Sequence, residues 1–362
     1  MNKPKRVLHF QGRMGKGGAE TFMMNAFREI DRSKYIFDFV VYENFQDVQP
    51  YHEEIQELGG NIYVVPNPNR NIIRYIKEVK ELFNTHHFDI VHNEIFFGGG
   101  INLWLAQKAG IPQRIAHSHA TTDGKGNKIH YNIVRPLLKK MLMKNATDFL
   151  ACSHEAGLGL FGEDQPFKII PNGINLKEYS HISETKAELR NKMSIPEDAF
   201  VVGHIGRFEK QKNHRFLMEI INKLIEERPN TYLLSVGTGS LEEDIRELAN
   251  DLKIDQNVFF LGEREDIPEL MKTMDVFLLP SLYEGLPMVA IEAQAAHLKV
   301  VLSTEVSSDT ILSNNIHFVP LEASLDQWKE TIFKFPMDNT PLPKLDFFDR
   351  THTAKMLEEI YK

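Results

Sequence analysis

Residues 200–227 run FVVGHIGRFEKQKNHRFLMEIINKLIEE. The stretch reads as an apolar strand, Phe200–Ile205, a basic turn from Gly206, and an amphipathic helix over Asn213–Glu227 with apolar residues at helical spacing. A strand that feeds a helix through a short turn is one half of a βαβ unit, and the same unit recurs along the chain. In the second half, strands are expected at Tyr232–Val236, Val258–Leu261, Val276–Leu279, Lys299–Leu302 and Ile316–Val319, with a further helix over Leu241–Lys253. In the first half they are expected at Val7–Phe10, Phe37–Tyr42, Asn61–Val65, Phe88–His92, Arg114–His117, Asp148–Ala151 and Lys168–Ile170, interleaved with helices such as Ala19–Ile30 and Ile72–Phe83. Alternation of this kind predicts an α/β protein made of two doubly wound, Rossmann-like domains with parallel sheets, and no short repeat period runs through it.

Pro171-Asn172-Gly173 is a turn signal between the halves, followed by a polar segment, 177–192, that reads as helix. The expected domains are 1–172, 173–340 and a C-terminal connector with helix, 341–362, the helix Thr351–Tyr361 packing back on the first domain. The Pro-rich stretch Pro336–Pro343 supplies the connector. Ligands of open α/β sheets bind beyond the carboxyl ends of the strands, so two such sheets would face one another across a cleft.

Composition narrows the function. The 362 residues include 42% hydrophobic and 25% charged residues, the balance of a folded globular protein, and one cysteine, which permits neither an internal disulfide nor a thiolate zinc cluster. With no readable signal peptide and no apolar run of membrane-spanning length, a cytoplasmic location is expected. The net charge of −8 argues against a nucleic-acid partner. That charge is uneven: residues 1–175 carry +3 and the remainder −11. Much of the positive excess lies in 127–145, where Lys128, Arg135, Lys139, Lys140 and Lys144 alternate with apolar residues. A basic amphipathic helix of this kind either packs on the core with solvated lysines or makes peripheral contact with an anionic membrane surface, at the inner face of the cell membrane.

Four places could carry chemistry. Gly12 to Glu20 joins the first strand to a helix, and Gly15, Gly17 and Gly18 would let backbone amides approach an anion; Lys16 lies among them. The loop is neither a Walker loop nor the dinucleotide fingerprint, because Glu20 stands where a third glycine belongs. Arg207 and Lys212 straddle the turn quoted above, where a guanidinium and an ammonium together can neutralise a diphosphate without a metal. Glu284 precedes the helix that Pro287 opens, and Glu292 comes one turn into it, interrupting an otherwise apolar run. Amides at that helix start suit an anion, while the two acids suit sugar hydroxyls. His117 and His119 end a strand: His117 fits a core position, and His119 is placed at the ligand side. Metal binding by these histidines would need ligands the sequence does not place, and no Asp-x-Asp occurs to clamp a divalent ion.

In this order and spacing the motifs resemble the retaining GT-B glycosyltransferases of family 4, also called glycosyl transferases group 1, particularly those that build capsular or exopolysaccharide. The matching residues are Gly17-Gly18-Ala19-Glu20, His119, Pro171-Asn172-Gly173-Ile174, Gly206-Arg207 with Lys212-Asn213, and Glu284 to Glu292 with seven residues between them. The resemblance implies a nucleotide-sugar donor, expected to be a UDP-sugar, a saccharide or lipid-linked saccharide acceptor, and no cofactor or metal. It implies that Arg207 and Lys212 hold the donor diphosphate, Glu284 the transferred sugar and Glu292 the ribose. Gly285, Leu286, Pro287 and Met288 would meet sugar and phosphates through their backbone, Arg264 would lie by the base, and His119 by the sugar. Gly15, Gly17, Gly18 and Asn172 complete the expected donor contacts. One departure is His297-Leu298-Lys299, where the family commonly has a glycine turn. Two other readings compete: a nicotinamide-dependent dehydrogenase, which Glu20 disfavours, and a nucleotide-sugar binding protein without turnover.

Overall fold

The computed structural model describes residues 3–362 apart from 16, 49, 123–128, 335, 339, 341 and 343, with only the backbone of 129–133. Lys16, Asn127 and Lys128, and parts of the Pro336–Pro343 stretch, lie outside the described residues. The chain forms two compact units, 1–174 with 347–362, and 175–346.

The first unit holds strands β1 (Lys5–Gly12), β2 (Tyr35–Tyr42), β3 (Ile62–Val65), β4 (Ile90–Asn93), β5 (Gln113–Ser118), β6 (Asp148–Ala151) and β7 (Lys168–Ile169). They form one parallel sheet in the order β3-β2-β1-β4-β5-β6-β7. Helices α1 (Gly18–Glu29), α2 (His52–Glu57), α3 (Ile72–Thr85), α4 (Gly99–Lys108), α5 (Ile129–Asn145) and α6 (His154–Phe161) connect them. Alternation along β1 decides the layers. Val7 packs with Phe22, Met23 and Phe27 of α1, whereas Leu8 and Phe10 pack with Tyr75 and Val79 of α3 and Leu103 of α4. Each such side chain, withdrawn fully from water, contributes about 1.5–3 kcal/mol.

The second unit opens with α7 (Leu176–Ser180) and α8 (Lys186–Lys192). The single helix expected over 177–192 is therefore two, because Thr185 starts α8 with a capping box to Glu188 and leaves 181–185 outside either helix. Then come β8 (Phe200–Ile205), α9 (His214–Glu227), β9 (Thr231–Val236), α10 (Glu242–Asp251), β10 (Val258–Phe260), α11 (Ile267–Thr273), β11 (Val276–Leu279), α12 (Met288–Ala295), β12 (Lys299–Ser303), β13 (Ile316–Val319) and α13 (Leu325–Lys334). The sheet is parallel in the order β10-β9-β8-β11-β12-β13. One face carries α9, α10 and α13 around Leu217, Ile221 and Trp328; the other carries α11 and α12 around Met271, Ala290 and Ala293.

The last helix, α14 (Arg350–Tyr361), belongs to the first unit, where Leu357 and Tyr361 pack against the α1 layer. The boundaries differ from the expected 172 and 340. Ile174 donates its amide to Phe348 O at 2.8 Å and accepts from Arg350 N at 2.9 Å, so the chain stays with the first unit through 174 and rejoins it at 347. Gly173 permits this: a Cβ there would stand 2.5 Å from Arg350 Cα. The His297 turn is also explained, since His297 has φ +56°, a left-handed conformation that glycine adopts without steric cost. Among the described residues no helix is long and apolar enough to cross a membrane.

Candidate functional site

In the second unit, the carboxyl end of β8 runs into the turn that holds Arg207 and Lys212. Arg207 is exposed and makes no ion pair among the described residues. The stem of Lys212 lies over Gly206, where a Cβ would come within 3.1 Å of its Cδ and Cε. Asn213, at φ +56°, turns the chain into α9 and donates its side-chain amide to Pro280 O at 3.1 Å. The turn is thereby tied to the loop after β11, as are Leu282 N to Gln211 O at 2.8 Å and Gln211 Nε2 to Tyr283 O at 3.0 Å.

That loop carries Glu284. Its carboxylate pairs with Lys212 Nζ at 2.6 Å and accepts from Ser281 Oγ at 3.1 Å, with both charged side chains largely buried. Glu284 is further fixed by backbone bonds to Glu305 and Ser307. Gly285 has open space where a side chain would stand. After Leu286, Pro287 precedes α12 in an extended conformation instead of forming its first turn, and no side chain caps the helix. Ala290 N donates to Pro287 O at 3.0 Å, and no side chain among the described residues caps the amides of Met288 and Val289.

Glu292 follows one turn later on α12, and α7 lies beside it. Burial, reinforced by Glu178, pushes its carboxyl up to about 7, against the opposing influence of a hydrogen bond with Tyr179. Tyr179 is itself pushed upward by burial and by Glu292. Arg264 is exposed and engaged within its own loop, bonded to Asp266 at 2.8 and 2.5 Å. The second unit thus contains Arg207, Lys212, Arg264, Glu284, Gly285, Leu286, Pro287, Met288 and Glu292; the remaining expected residues belong to the first.

In the first unit, α1 starts at Gly18 without a side-chain cap, and the Glu20 carboxylate leans over Gly17 where a Cβ would collide with it. Gly15 is similarly covered by the Arg13 guanidinium, while Gly18 faces open space. Asn172 has a buried Oδ1 with no hydrogen-bond partner among the described residues. Its neighbours hold α14 and α1: Pro171 O accepts from Thr353 Oγ1 at 3.1 Å, and Gly173 O accepts from Asn25 Nδ2 at 2.8 Å.

His119 lies within a larger polar group. Its Nε2 is 2.6 Å from Glu94 Oε2, and the other Glu94 oxygen is 3.0 Å from His9 Nδ1. His92 Nε2 is 3.1 Å from His117 Nδ1 and 3.4 Å from Glu94 Oε1, and His92 Nδ1 is 2.7 Å from the Tyr361 hydroxyl. Burial holds His92 down to about 3 and His117 well below the usual imidazole range. Burial would also lower His119, but Cys152 and Glu94 carry it up to about 10. Glu94, despite burial, is held well below the carboxylate range by the histidines around it.

Sequence reasoning singled out His117 and His119 and missed His9, His92, Glu94, Tyr361, Glu178 and Tyr179. A signal existed for three of them: on β1, β4 and β5 alternation puts Val7 and His9, Ile90, His92 and Glu94, and Ile115, His117 and His119 on one face. His9 stands opposite His92 in the register. Tyr361, Glu178 and Tyr179 arrive from helices remote in sequence.

Two family models match the chain: Glycosyltransferase Family 4 over residues 16–178 and Glycosyl transferases group 1 over 185–335. The putative glycosyltransferase EpsF of Bacillus subtilis is 35% identical over 354 residues, spanning 96% of this chain and 91% of that protein. The UDP-Gal:alpha-D-GlcNAc-diphosphoundecaprenol alpha-1,3-galactosyltransferase of Escherichia coli is 28% identical over 271 residues, 70% of this chain and 68% of that protein. Among solved structures, Anabaena HepE in complex with UDP superposes with a TM-score of 0.78 at 17% identity, covering 98% of this chain and 99% of that one. With two parallel-sheet α/β units of the GT-B fold and full-length similarity to EpsF, the chain belongs to the glycosyltransferases built from the family 4 and group 1 domains.

Proposed function

We propose that the protein moves a hexose from a UDP-sugar to a saccharide or lipid-linked saccharide used for cell-surface polysaccharide, with retention at the anomeric carbon and without a divalent metal. The observation that carries the reading is the second-unit constellation: Lys212 seated on Glu284, Arg207 exposed in the same turn, and an uncapped helix start with Glu292 one turn behind. A departing diphosphate needs positive charge arranged in advance, and this turn has it. The diphosphate takes Arg207 and Lys212, with the Gly285–Met288 backbone; Glu284 takes hydroxyls of the transferred sugar, Glu292 the ribose, and Arg264 lies by the base. His119 serves the sugar, with Gly15, Gly17, Gly18 and Asn172 as further donor contacts. In the transfer, the bond from C1 to the diphosphate oxygen breaks, the acceptor oxygen bonds C1 on the same face, and its proton passes to the leaving diphosphate. The UDP named for HepE and the UDP-galactose and diphosphoundecaprenol acceptor named for the E. coli relative support the donor and acceptor classes. The dehydrogenase reading leaves Arg207, Lys212 and Glu292 without a task.

The test is a panel of nucleotide-sugars, read as nucleoside-diphosphate release, with and without EDTA and with lipid-linked oligosaccharide as acceptor. The expected result is release from one UDP-sugar, undiminished by EDTA, and an α-linked product by NMR. Loss of activity in EDTA restored by Mg²⁺ or Mn²⁺ overturns the metal-free reading, a β product overturns retention, and binding without turnover makes the protein a nucleotide-sugar binder.

Peripheral membrane contact through α5 has its own support. Val134, Leu137, Lys140 and Lys144 share one exposed stripe, and Leu137 is 64% exposed. The protein is expected to sediment with phosphatidylglycerol vesicles at low salt, less so at high salt, and less again as Leu137→Asp. Wild-type protein left in the supernatant at low salt sinks this contact.

A further inference from the structure

The buried cluster in the first unit lies outside the proposed donor contacts except for His119. Four imidazoles converge on one carboxylate at the carboxyl ends of adjacent strands β1, β4 and β5. His9, His92 and Glu94, and again Glu94, His117 and His119, offer ligand atoms within 4.8 Å of one another. The spacing separates two readings of that cluster. Bonds of 2.0–2.1 Å in a tetrahedral zinc site keep ligand atoms about 3.3 Å apart. Glu94 Oε2 and His119 Nε2 stand 2.6 Å apart, the length of a charge-assisted hydrogen bond and too close for neighbouring ligands. The outward nitrogens also lack the acceptors that orient metal-bound histidines: His9 Nε2, His117 Nε2 and His119 Nδ1 have no hydrogen-bond partner among the described residues.

We propose that Glu94 is a positioning residue of the transfer site: its buried carboxylate accepts Nε2–H of His119 at 2.6 Å and fixes the ring, so that His119 stands beside the reacting sugar in one orientation with its positive charge retained. The inference rests on the place given to His119 in the proposed function. The rest of the cluster serves the same end. His9 donates to the other Glu94 oxygen, His92 bridges to His117, and the Tyr361 hydroxyl of α14 holds His92 from its far side. The groups facing His119 are Glu94 from β4, His117 from β5, Cys152 after β6 and the Phe22 ring of α1, 5.0 Å away. Cys152 and Glu94 both favour the charged ring, Glu94 as its one carboxylate partner, and the neutral His117 sets no positive charge against it.

The signs follow from the two partners. His119, raised, keeps its proton from low pH until pH passes about 10, and Glu94, lowered, keeps its charge from above the ordinary carboxylate range upward. Between those limits the pair is complete, so the wild-type turnover owes no pH dependence to His119 from pH 6 to 9. In Glu94→Gln the ring loses that counter-charge while burial still disfavours the imidazolium, so its hold on the proton weakens.

Nitrogen-15 NMR of histidine-labelled full-length protein, with the His119 signal assigned through His119→Gln, tests this directly. The expected result is an imidazolium pattern for His119 across pH 6–9 in wild type and a neutral ring at pH 7.5 in Glu94→Gln. Donor turnover of Glu94→Gln is expected to fall about tenfold relative to wild type between pH 6 and pH 8, and Glu94→Asp to restore the flat profile at a lower rate. A neutral His119 in wild type at pH 7.5, a Glu94→Gln profile parallel to wild type, or stoichiometric bound metal by elemental analysis overturns the proposal. The NMR readout needs no activity. Absence of transfer from every donor would therefore defeat the proposed function while the charge of His119 was still decided.

Discussion

Arg207→Ala lowers kcat/KM for the nucleotide-sugar about a hundred- to a thousandfold while leaving the melting temperature close to wild type. The guanidinium is exposed and has no ion pair among the described residues, so its truncation changes stability by no more than about 0.5 kcal/mol. A loss of turnover without a loss of fold assigns Arg207 to the chemistry. Lys212→Ala gives a loss of turnover at least as large for two reasons that a second substitution separates. It removes the cation proposed to meet the diphosphate, and it strands Glu284, whose carboxylate is only 10% exposed and retains the Ser281 hydroxyl. The stranded acid repels an incoming diphosphate. Lys212→Ala with Glu284→Gln recovers the repulsive part of the donor-binding loss and none of the charge stabilisation. Steady-state kinetics with the donor varied, beside calorimetric melting, reads both parts. Rates near wild type in Arg207→Ala and Lys212→Ala would remove the diphosphate from this turn and take the proposed mechanism with it.

Much of this site was legible because strand-turn-helix units are written locally. Apolar runs such as Val276–Leu279 are short and bounded by turn residues, the pattern of strands covered on both faces, and each forms a strand in the sheet order of a doubly wound fold. The Arg207 and Lys212 turn was visible because both residues stand between one strand and the next helix. What sequence could not give is the pairing of positions far apart in the chain. That Lys212 rests on Glu284 depends on β8 lying beside β11, and that Glu292 meets Tyr179 depends on α7 packing on α12. Glu94 looked like any acid after a strand. Its importance appears only when β1, β4 and β5 are set side by side and their alternation is read together. The 177–192 segment failed for a smaller reason: helical composition on both sides hid the capping box at Thr185.

Glu292→Gln stabilises the unliganded protein above neutral pH and weakens donor binding, an opposite pair of effects expected if this half-buried acid makes the proposed ribose contact. Burial and Glu178 raise the Glu292 carboxyl to about 7 from 4.5. The folded state thus binds a proton that the unfolded state has released between those values, and stability falls as pH rises through that window. Glutamine has no proton to lose. The gap in stability between variant and wild type is therefore small below pH 4.5, grows from pH 4.5 to 7, and levels off at about 2–3 kcal/mol above it. Binding runs the other way. A carboxylate accepts from two ribose hydroxyls through charge-assisted bonds, whereas the amide offers a single accepting oxygen, a difference of about 1.5–3 kcal/mol or roughly 10- to 100-fold in Kd for UDP. Because the carboxylate is the accepting form, wild-type affinity for UDP rises as pH passes through 7, and the Glu292→Gln affinity does not follow it. Melting curves and titration calorimetry with UDP from pH 5 to pH 8 measure both halves. A stability gap that ignores pH would contradict the raised carboxyl of Glu292, and UDP affinity unchanged by the substitution would place the ribose elsewhere in the second unit.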